Sequence, residues 1–250
     1  MRRSDRLDGI LAELSENGSV SARDLVLRFD ASPATIRRDL ELLEEQKLLT
    51  RSHGGAVANG TVYELPVRYR SDHRAEEKRR IADAALERID GAQTICFSGG
   101  TTTTEVARRL RGRSLTVVTN AVNIASELVI SETIRLVLTG GVARPQTYEL
   151  IGPLAEQSLE KLNMDVTFLG VDGINPAGVT THDEVEAQTD RKMVERATRV
   201  IVVCDSSKIG RAALSEICPL TEVDELITDT GAPAAEIKAL RAAGIEVTQV

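Results

Sequence analysis

At 250 residues the chain is longer than one average domain of ~100 to 200 residues, and two domains are expected. Its composition is 42% hydrophobic with no Trp and only six aromatic residues, so aliphatic side chains must fill the core, and the base-stacking surface of a single-stranded nucleic acid reader is excluded. The net charge of −7 is unevenly spread: residues 1–57 hold 9 Lys and Arg against 10 Asp and Glu, and the remainder 22 against 28, so a near-neutral first segment can still meet a phosphate backbone if its cations share a face.

The opening MRRSDRLDGI lacks the apolar run of a secretory signal, and no apolar stretch approaches the ~18 residues of a membrane span. Cys96, Cys204 and Cys218 are widely spaced and form no CxxC pair, which excludes a zinc ribbon and a disulfide framework. A cytoplasmic protein without a membrane partner, metal or cofactor is expected.

Three short helices are expected first. Asp5 caps a run with Leu7, Ile10, Leu11 and Leu14 that ends at Asn17-Gly18. Ser21, with Asp24 three residues on, opens a second helix carrying Leu25, Leu27 and Phe29. Ser32 caps a third, with Pro33 at the first helical position. There Ile36, Leu40 and Leu43 form one inward stripe, leaving Thr35, Arg37, Arg38 and Glu41 off it. Leu48 to Val57 reads as a two-stranded turn tipped by Gly54-Gly55, the wing of a winged helix-turn-helix over residues 1–57. Such a domain takes double-stranded DNA. Ser21, Ser32 and Thr35 suit backbone or base contacts, Arg37 and Arg38 phosphates or guanine edges, and Arg51 and His53 the phosphates or the minor groove.

Residues 58–73 lack periodicity and hold Gly60 and Pro66, so a linker is expected there. From Arg74 a helical pattern (Ile81, Ala82, Ala85, Leu86, Ile89) leads into alternating strands and helices over 74–250. The strand candidates are Thr94 to Phe97, Leu115 to Thr119, Ile134 to Thr139, Val166 to Val171, Val200 to Cys204, Leu226 to Thr228 and Ile245 to Val250. Crossover helices between them predict a mostly parallel α/β sheet covered on both faces.

Ser98-Gly99-Gly100-Thr101-Thr102-Thr103 follows the first of these strands and opens a helix. Glycines admit an anion to the backbone, and the free N–H groups of a helix start point at it, so a phosphate fits. The loop lacks GK[ST] and GxGxxG, so a nucleoside triphosphate is not indicated. Taken alone it also reads as a tight strand-to-helix turn. Asn120, Gly140-Gly141 with Arg144, Asp172-Gly173, and Asp205 to Lys208 follow four further strands, and in an open parallel sheet such loops converge on one ligand crevice. Lys208 offers a point charge for a phosphate, whereas Asp172 and Asn120 suit sugar hydroxyls. Asp183, Glu184 and Glu186 beside His182 fit an exposed helix start rather than a metal site.

TIRRDLELLEEQ followed by HGGA, together with GGTTTTEVA, VVTNAVNIA, LTGG, FLGVDGI, GVTT and CDSSK, resembles the DeoR family of bacterial transcriptional regulators across both domains. The resemblance implies a sensor domain related in fold to ribose-5-phosphate isomerase, and a homo-oligomeric repressor, dimer or tetramer, of a sugar-utilisation operon, retuned by a phosphorylated sugar. Carried over, the effector set is Ser98, Gly99, Gly100, Thr101, Thr102, Thr103, Asn120, Gly141, Arg144, Gly152, Asp172 and Lys208. The phosphate would lie against Gly100 to Thr103. Ser98 stands where the family commonly has Asp, and Lys47 where a glycine frequently ends the recognition helix. The alternative is a sugar-phosphate isomerase with a DNA-binding appendage, in which Asp172 is the acid/base and Lys208 an anchor; it lacks a full set of proton-transfer groups.

Overall fold

The computed structural model describes residues 3–46, 48–58, 66–71 and 73–250. Lys47, with the helix exit it bears on, and residues 59–65 and 72 of the expected linker lie outside them. The chain folds as two compact units, Met1–His73 and Arg74–Val250.

In the first unit α1 (Arg3–Asn17) leads through β1 (Ser19–Ser21) to α2 (Ala22–Phe29), α3 (Pro33–Glu45), β2 (Thr50–Ser52) and β3 (Gly55–Val57). Of the three expected caps two are formed, Ser21 Oγ accepting from the Asp24 N–H (3.4 Å) and Ser32 Oγ from the Thr35 N–H (3.1 Å); Asp5 lies instead within the first turn of α1, where a carboxylate suits the helix dipole. The inward stripe Ile36, Leu40 and Leu43 packs on Ile10, Leu11, Leu14 and Leu25, and each such burial contributes about 1.5–3 kcal/mol. Leu27 is 73% exposed, because two residues turn a helix by about 200° and carry it away from the Leu25 face. The wing has a third strand: β1 pairs antiparallel with β3, which pairs with β2. Asp39, beside the stripe, is buried and takes the guanidinium groups of Arg6 and Arg3 from α1, an ion-paired bolt between the two helices. Part of the expected linker is ordered as α4 (Val67–Arg70), with Val67 buried and Tyr69 donating to Gln46 Oε1 at 2.7 Å.

The second unit runs α5 (Ala75–Ala85), β4 (Thr94–Phe97), α6 (Thr101–Arg108), β5 (Leu115–Thr119), α7 (Val122–Leu128), β6 (Ile134–Leu138), β7 (Val142–Arg144), β8 (Glu149–Ile151), α8 (Pro153–Leu159) and β9 (Met164–Leu169). It continues with β10 (Gly173–Asn175), β11 (Gly178–Thr181), α9 (Glu184–Glu195), β12 (Ala197–Val203), β13 (Ser215–Pro219), β14 (Glu225–Thr228), α10 (Ala234–Ala242) and β15 (Glu246–Gln249). All seven expected strands enter one parallel sheet, in the order β15-β14-β12-β9-β4-β5-β6. Its strands are aliphatic runs because both faces are covered. Ile95, Phe97, Val117 and Phe168 pack under α5, α6 and α7, while Cys96, Val118, Val200 and Val202 face α8, α9 and α10. The antiparallel sheet β10-β11-β13 and the hairpin β7-β8 stand where only loops and crossover helices were expected.

The chain builds β4, β5 and β6 toward one edge, then returns to lay β9, β12, β14 and β15 on the other side of β4. That reversal, between β4 and β9, is the topological switch point, and in open α/β sheets ligands bind outside the carboxyl ends of the strands at such a point.

Candidate functional site

The residues expected to meet DNA lie along the exposed side of α3 and on the wing. Ser32 Oγ and Thr35 Oγ1 lie 2.8 Å apart, so the two hydroxyls hydrogen-bond each other at the helix start. Arg37 and Arg38 are exposed on the next turn. Arg37 Nε donates to Glu41 Oε1 (3.0 Å), and Arg51 Nη1, from the wing, donates to the same oxygen (2.9 Å). The backbone N–H of Arg51 donates to Glu44 Oε1 (2.9 Å), tying the wing to the helix. His53 is exposed at the wing's turn, while the Ser21 hydroxyl is engaged in capping α2.

At the switch point the glycine loop is drawn tightly into the protein. Ser98 is buried; its Oγ accepts from the Gly170 N–H (2.9 Å) and its hydroxyl donates to Gly99 O (3.4 Å), stitching the β4 loop to the β9 loop. A Cβ at Gly170 would lie 2.2 Å from Gly99 O, so only glycine permits this approach. The acceptor that reaches the Gly99 N–H is the chain's own Glu149, whose Oε1 lies 2.8 Å away, and a Cβ at Gly99 would sit 2.3 Å from Glu149 Cδ. An external anion is left the start of α6, where the N–H groups of Thr101, Thr102 and Thr103 have no acceptor within the helix. The Thr104 N–H is the first to bond back, to Gly100 O. Thr103 Oγ1 donates to Gly100 O (3.0 Å).

The other expected residues gather around the same loops. Asn120 is fully buried and donates through Nδ2 to Glu149 Oε1 (3.3 Å); its Oδ1 has no hydrogen-bond partner among the described residues, nor has His182 Nδ1. Asp172 sits 3.1 Å from Lys208 Nζ, accepts from Thr181 Oγ1 (3.2 Å), and lies 3.9 Å from His182 Nε2. Arg144 pairs with Asp183 (3.3 Å) and Glu186 (3.2 Å). Gly141 (φ +135°) lets the β7-β8 hairpin close, and Gly152 (φ +89°) caps α8, its N–H donating to Thr189 Oγ1 (3.1 Å), so both shape the crevice wall.

A buried carboxyl group was not foreseen. Asp183 does cap α9, accepting from the Val185 and Glu186 N–H groups, but Glu186 is not on an exposed helix start: it turns inward and accepts from Thr181 Oγ1 (2.5 Å). One turn on, Asp190 is buried as well. Burial pushes the Glu186 carboxyl well above the ordinary carboxylate range, with Glu149 adding to it; burial and then Glu149 and Glu186 do the same to Asp190. Burial also raises Glu149, against the hydrogen bond from Gly99. The only trace in the sequence is the i, i+4 spacing of two acids on the helix face that carries Ala187, Met193 and Val194.

Residues 6–62 match the DeoR-like helix-turn-helix domain and residues 73–230 the DeoR C terminal sensor domain. The chain belongs to the DeoR family. A relative from Escherichia coli O157:H7, provisionally named the aga operon transcriptional repressor, is 40% identical over 99% of this chain and 94% of its own length. The glycerol-3-phosphate regulon repressor of Escherichia coli K12 is 35% identical over 96% of each chain, and the lactose phosphotransferase system repressor of Staphylococcus epidermidis 33% over 92% and 93%. Ribose 5-phosphate isomerase A from Methanocaldococcus jannaschii superposes with a TM-score of 0.39, at 15% identity, over 54% of this chain and 55% of that one. The DeoR-family chain is thus a DNA-binding repressor rather than an enzyme, and the isomerase alternative is set aside. No helix among its described residues is long and apolar enough to cross a membrane.

Proposed function

We propose that this DeoR-type repressor controls a sugar-utilisation operon from the cytoplasm and that a phosphorylated sugar, bound in the switch-point crevice, retunes its affinity for operator DNA. The observation that carries this reading is the Ser98–Gly170 link, which brings the glycine loop that opens α6 beside the loop leading to Asp172, itself 3.1 Å from Lys208 and 3.9 Å from His182: helix-start N–H groups, a cation and groups suited to hydroxyls on neighbouring loops. The phosphate would meet the N–H groups of Thr101 to Thr103, and Lys208 would exchange part of its contact with Asp172 for it. Ser98 would act at one remove, by holding Gly170 and Gly99 together. A homo-oligomer follows from the output, because paired half-sites require paired recognition helices.

The test is a thermal-shift panel of glycerol 3-phosphate, phosphorylated hexoses and phosphorylated amino sugars against their unphosphorylated forms and inorganic phosphate, followed by footprinting on DNA upstream of the chain's own gene. A ligand at 100 times its Kd stabilises the native state by about 2.7 kcal/mol, and Lys208→Ala should reduce that ligand's affinity about tenfold or more. If no phosphate ester raises the melting temperature and none alters the footprint, the sensing role is wrong.

A further inference from the structure

The three arginines expected to meet DNA are not equivalent. Arg38 is exposed and makes no ion pair among the described residues, whereas Arg37 and Arg51 share Glu41 Oε1 at 3.0 and 2.9 Å. The sharing spans two elements, since Arg37 and Glu41 lie one turn apart on α3 and Arg51 lies on β2. The wing is held in place by a separate contact, the Arg51 N–H to Glu44 Oε1, and Glu44 Oε2 lies 4.0 Å from Arg51 Nε, a longer pair than the one with Glu41. Glu41 is therefore spare as a fastener: it neutralises two cations on the DNA-facing side.

We propose that Glu41 is a specificity-determining residue of the DNA-binding face, which withholds Arg37 and Arg51 from phosphates of unrelated sequence. Sequence-independent affinity grows with the number of phosphates that cations neutralise, each contributing a slope of about 0.9 to the fall of log K with log salt. A guanidinium shared with a carboxylate must leave it before it serves a phosphate, so an arbitrary duplex engages Arg38 but gains little from the other two. The pairs are open to solvent, with side-chain exposures of 73% for Arg37, 33% for Arg51 and 38% for Glu41, and so are weak enough to break. A duplex whose shape and bases fit α3 brings its phosphates close enough to draw both arginines away. On any other duplex the Glu41 charge stays facing the polyanion and repels it. The inference rests on DNA binding by the family's helix-turn-helix domain and not on the sugar-phosphate reading.

The experiment uses the full chain and its Glu41→Gln variant, titrated by fluorescence anisotropy into a random-sequence duplex across a salt series, and into the duplex protected in footprinting. In Glu41→Gln the random-duplex affinity should rise about 3- to 10-fold and the salt slope steepen by about 1 to 2, with a smaller gain on the protected duplex, so that their ratio falls. Adding Arg37→Ala and Arg51→Ala to Glu41→Gln should abolish the gain, and Glu41→Asp should stay nearer to the original chain. The proposal is overturned if Glu41→Gln leaves the random-duplex affinity and slope unchanged. It is equally overturned if binding is lost on the protected duplex alone, which would make Glu41 a direct reader of a base edge. A matching melting curve for each variant keeps either result from being a folding defect.

Discussion

On the recognition face Glu41 holds its charge in the open between Arg37 and Arg51, and the Arg37 hydrogen bond keeps its carboxyl below the ordinary range; in the crevice Glu186 and Asp190 are buried and pushed well above it. Buried Asp39 in the same unit as Glu41 is paired as well, with Arg6 and Arg3. The second unit buries Glu149, Glu186 and Asp190 close enough to raise one another, and Arg144 pairs with Glu186 at 3.2 Å. On the recognition face, then, pairing favours the charge, whereas in this buried cluster burial works against it; Glu225, also buried in the second unit, is paired with Arg88 and Arg199.

The contrast breaks most sharply at Asp39. Asp39→Ala leaves Arg6, whose side chain is 11% exposed, without its partner in the α1–α3 interface. Removing one member of a buried pair costs about 3–5 kcal/mol, enough to unfold a small winged-helix unit. Chemical denaturation should show the first unit melting early while the second keeps its transition; a loss below about 1 kcal/mol would mean that water already reaches Arg6.

The crevice should respond to pH with the opposite sign from Glu41. A carboxyl whose folded pKa is raised stabilises the native state fully below its unfolded value and loses that contribution as pH rises through the folded value; a lowered one, like Glu41, loses it as pH falls. The second unit should therefore become less stable as pH rises above the ordinary carboxylate range, and Asp190→Asn, which removes a buried ionisable group, should flatten that decline. Calorimetry of the two proteins over this range decides it, and parallel pH profiles would show that Asp190 is not a proton carrier of the cluster.

This difference also marks what could be read in advance. The seven parallel strands were legible because runs such as LTVVT and RVIVV are buried on both faces and end in polar or glycine-rich loops, a purely local signal. The stripe Ile36, Leu40 and Leu43 was legible for the same reason. The strands β7, β8, β10 and β11 lie outside the parallel sheet and are defined by antiparallel pairing, β7 with β8 and β10 with β11, rather than by an apolar run buried on both faces. Charge pairing was hidden for a related reason. Glu149 meets Gly99 only after the hairpin folds back, with the Leu150 N–H on Asn120 O and the Val122 N–H on Tyr148 O, and Arg51 meets Glu41 only once the wing closes.

Ser98 offers the finest cut, because it separates shaping the crevice from touching a ligand. Its hydroxyl is committed on both sides, to the Gly170 N–H and to Gly99 O, and it is 1% exposed. Ser98→Ala leaves the Gly170 N–H without that acceptor, a cost of about 1 to 3 kcal/mol if no water replaces it. The second unit should lose stability by that amount while the first is untouched. Because the substitution deletes a single oxygen and keeps the Cβ, the loop should keep its path, and an effector held by the start of α6 and by Lys208 should bind within a few-fold of its original affinity. Stability lost together with only a slight change in binding assigns Ser98 to the fastening of the switch point. Binding lost with stability intact would instead put its hydroxyl on the ligand, where the family commonly places an Asp.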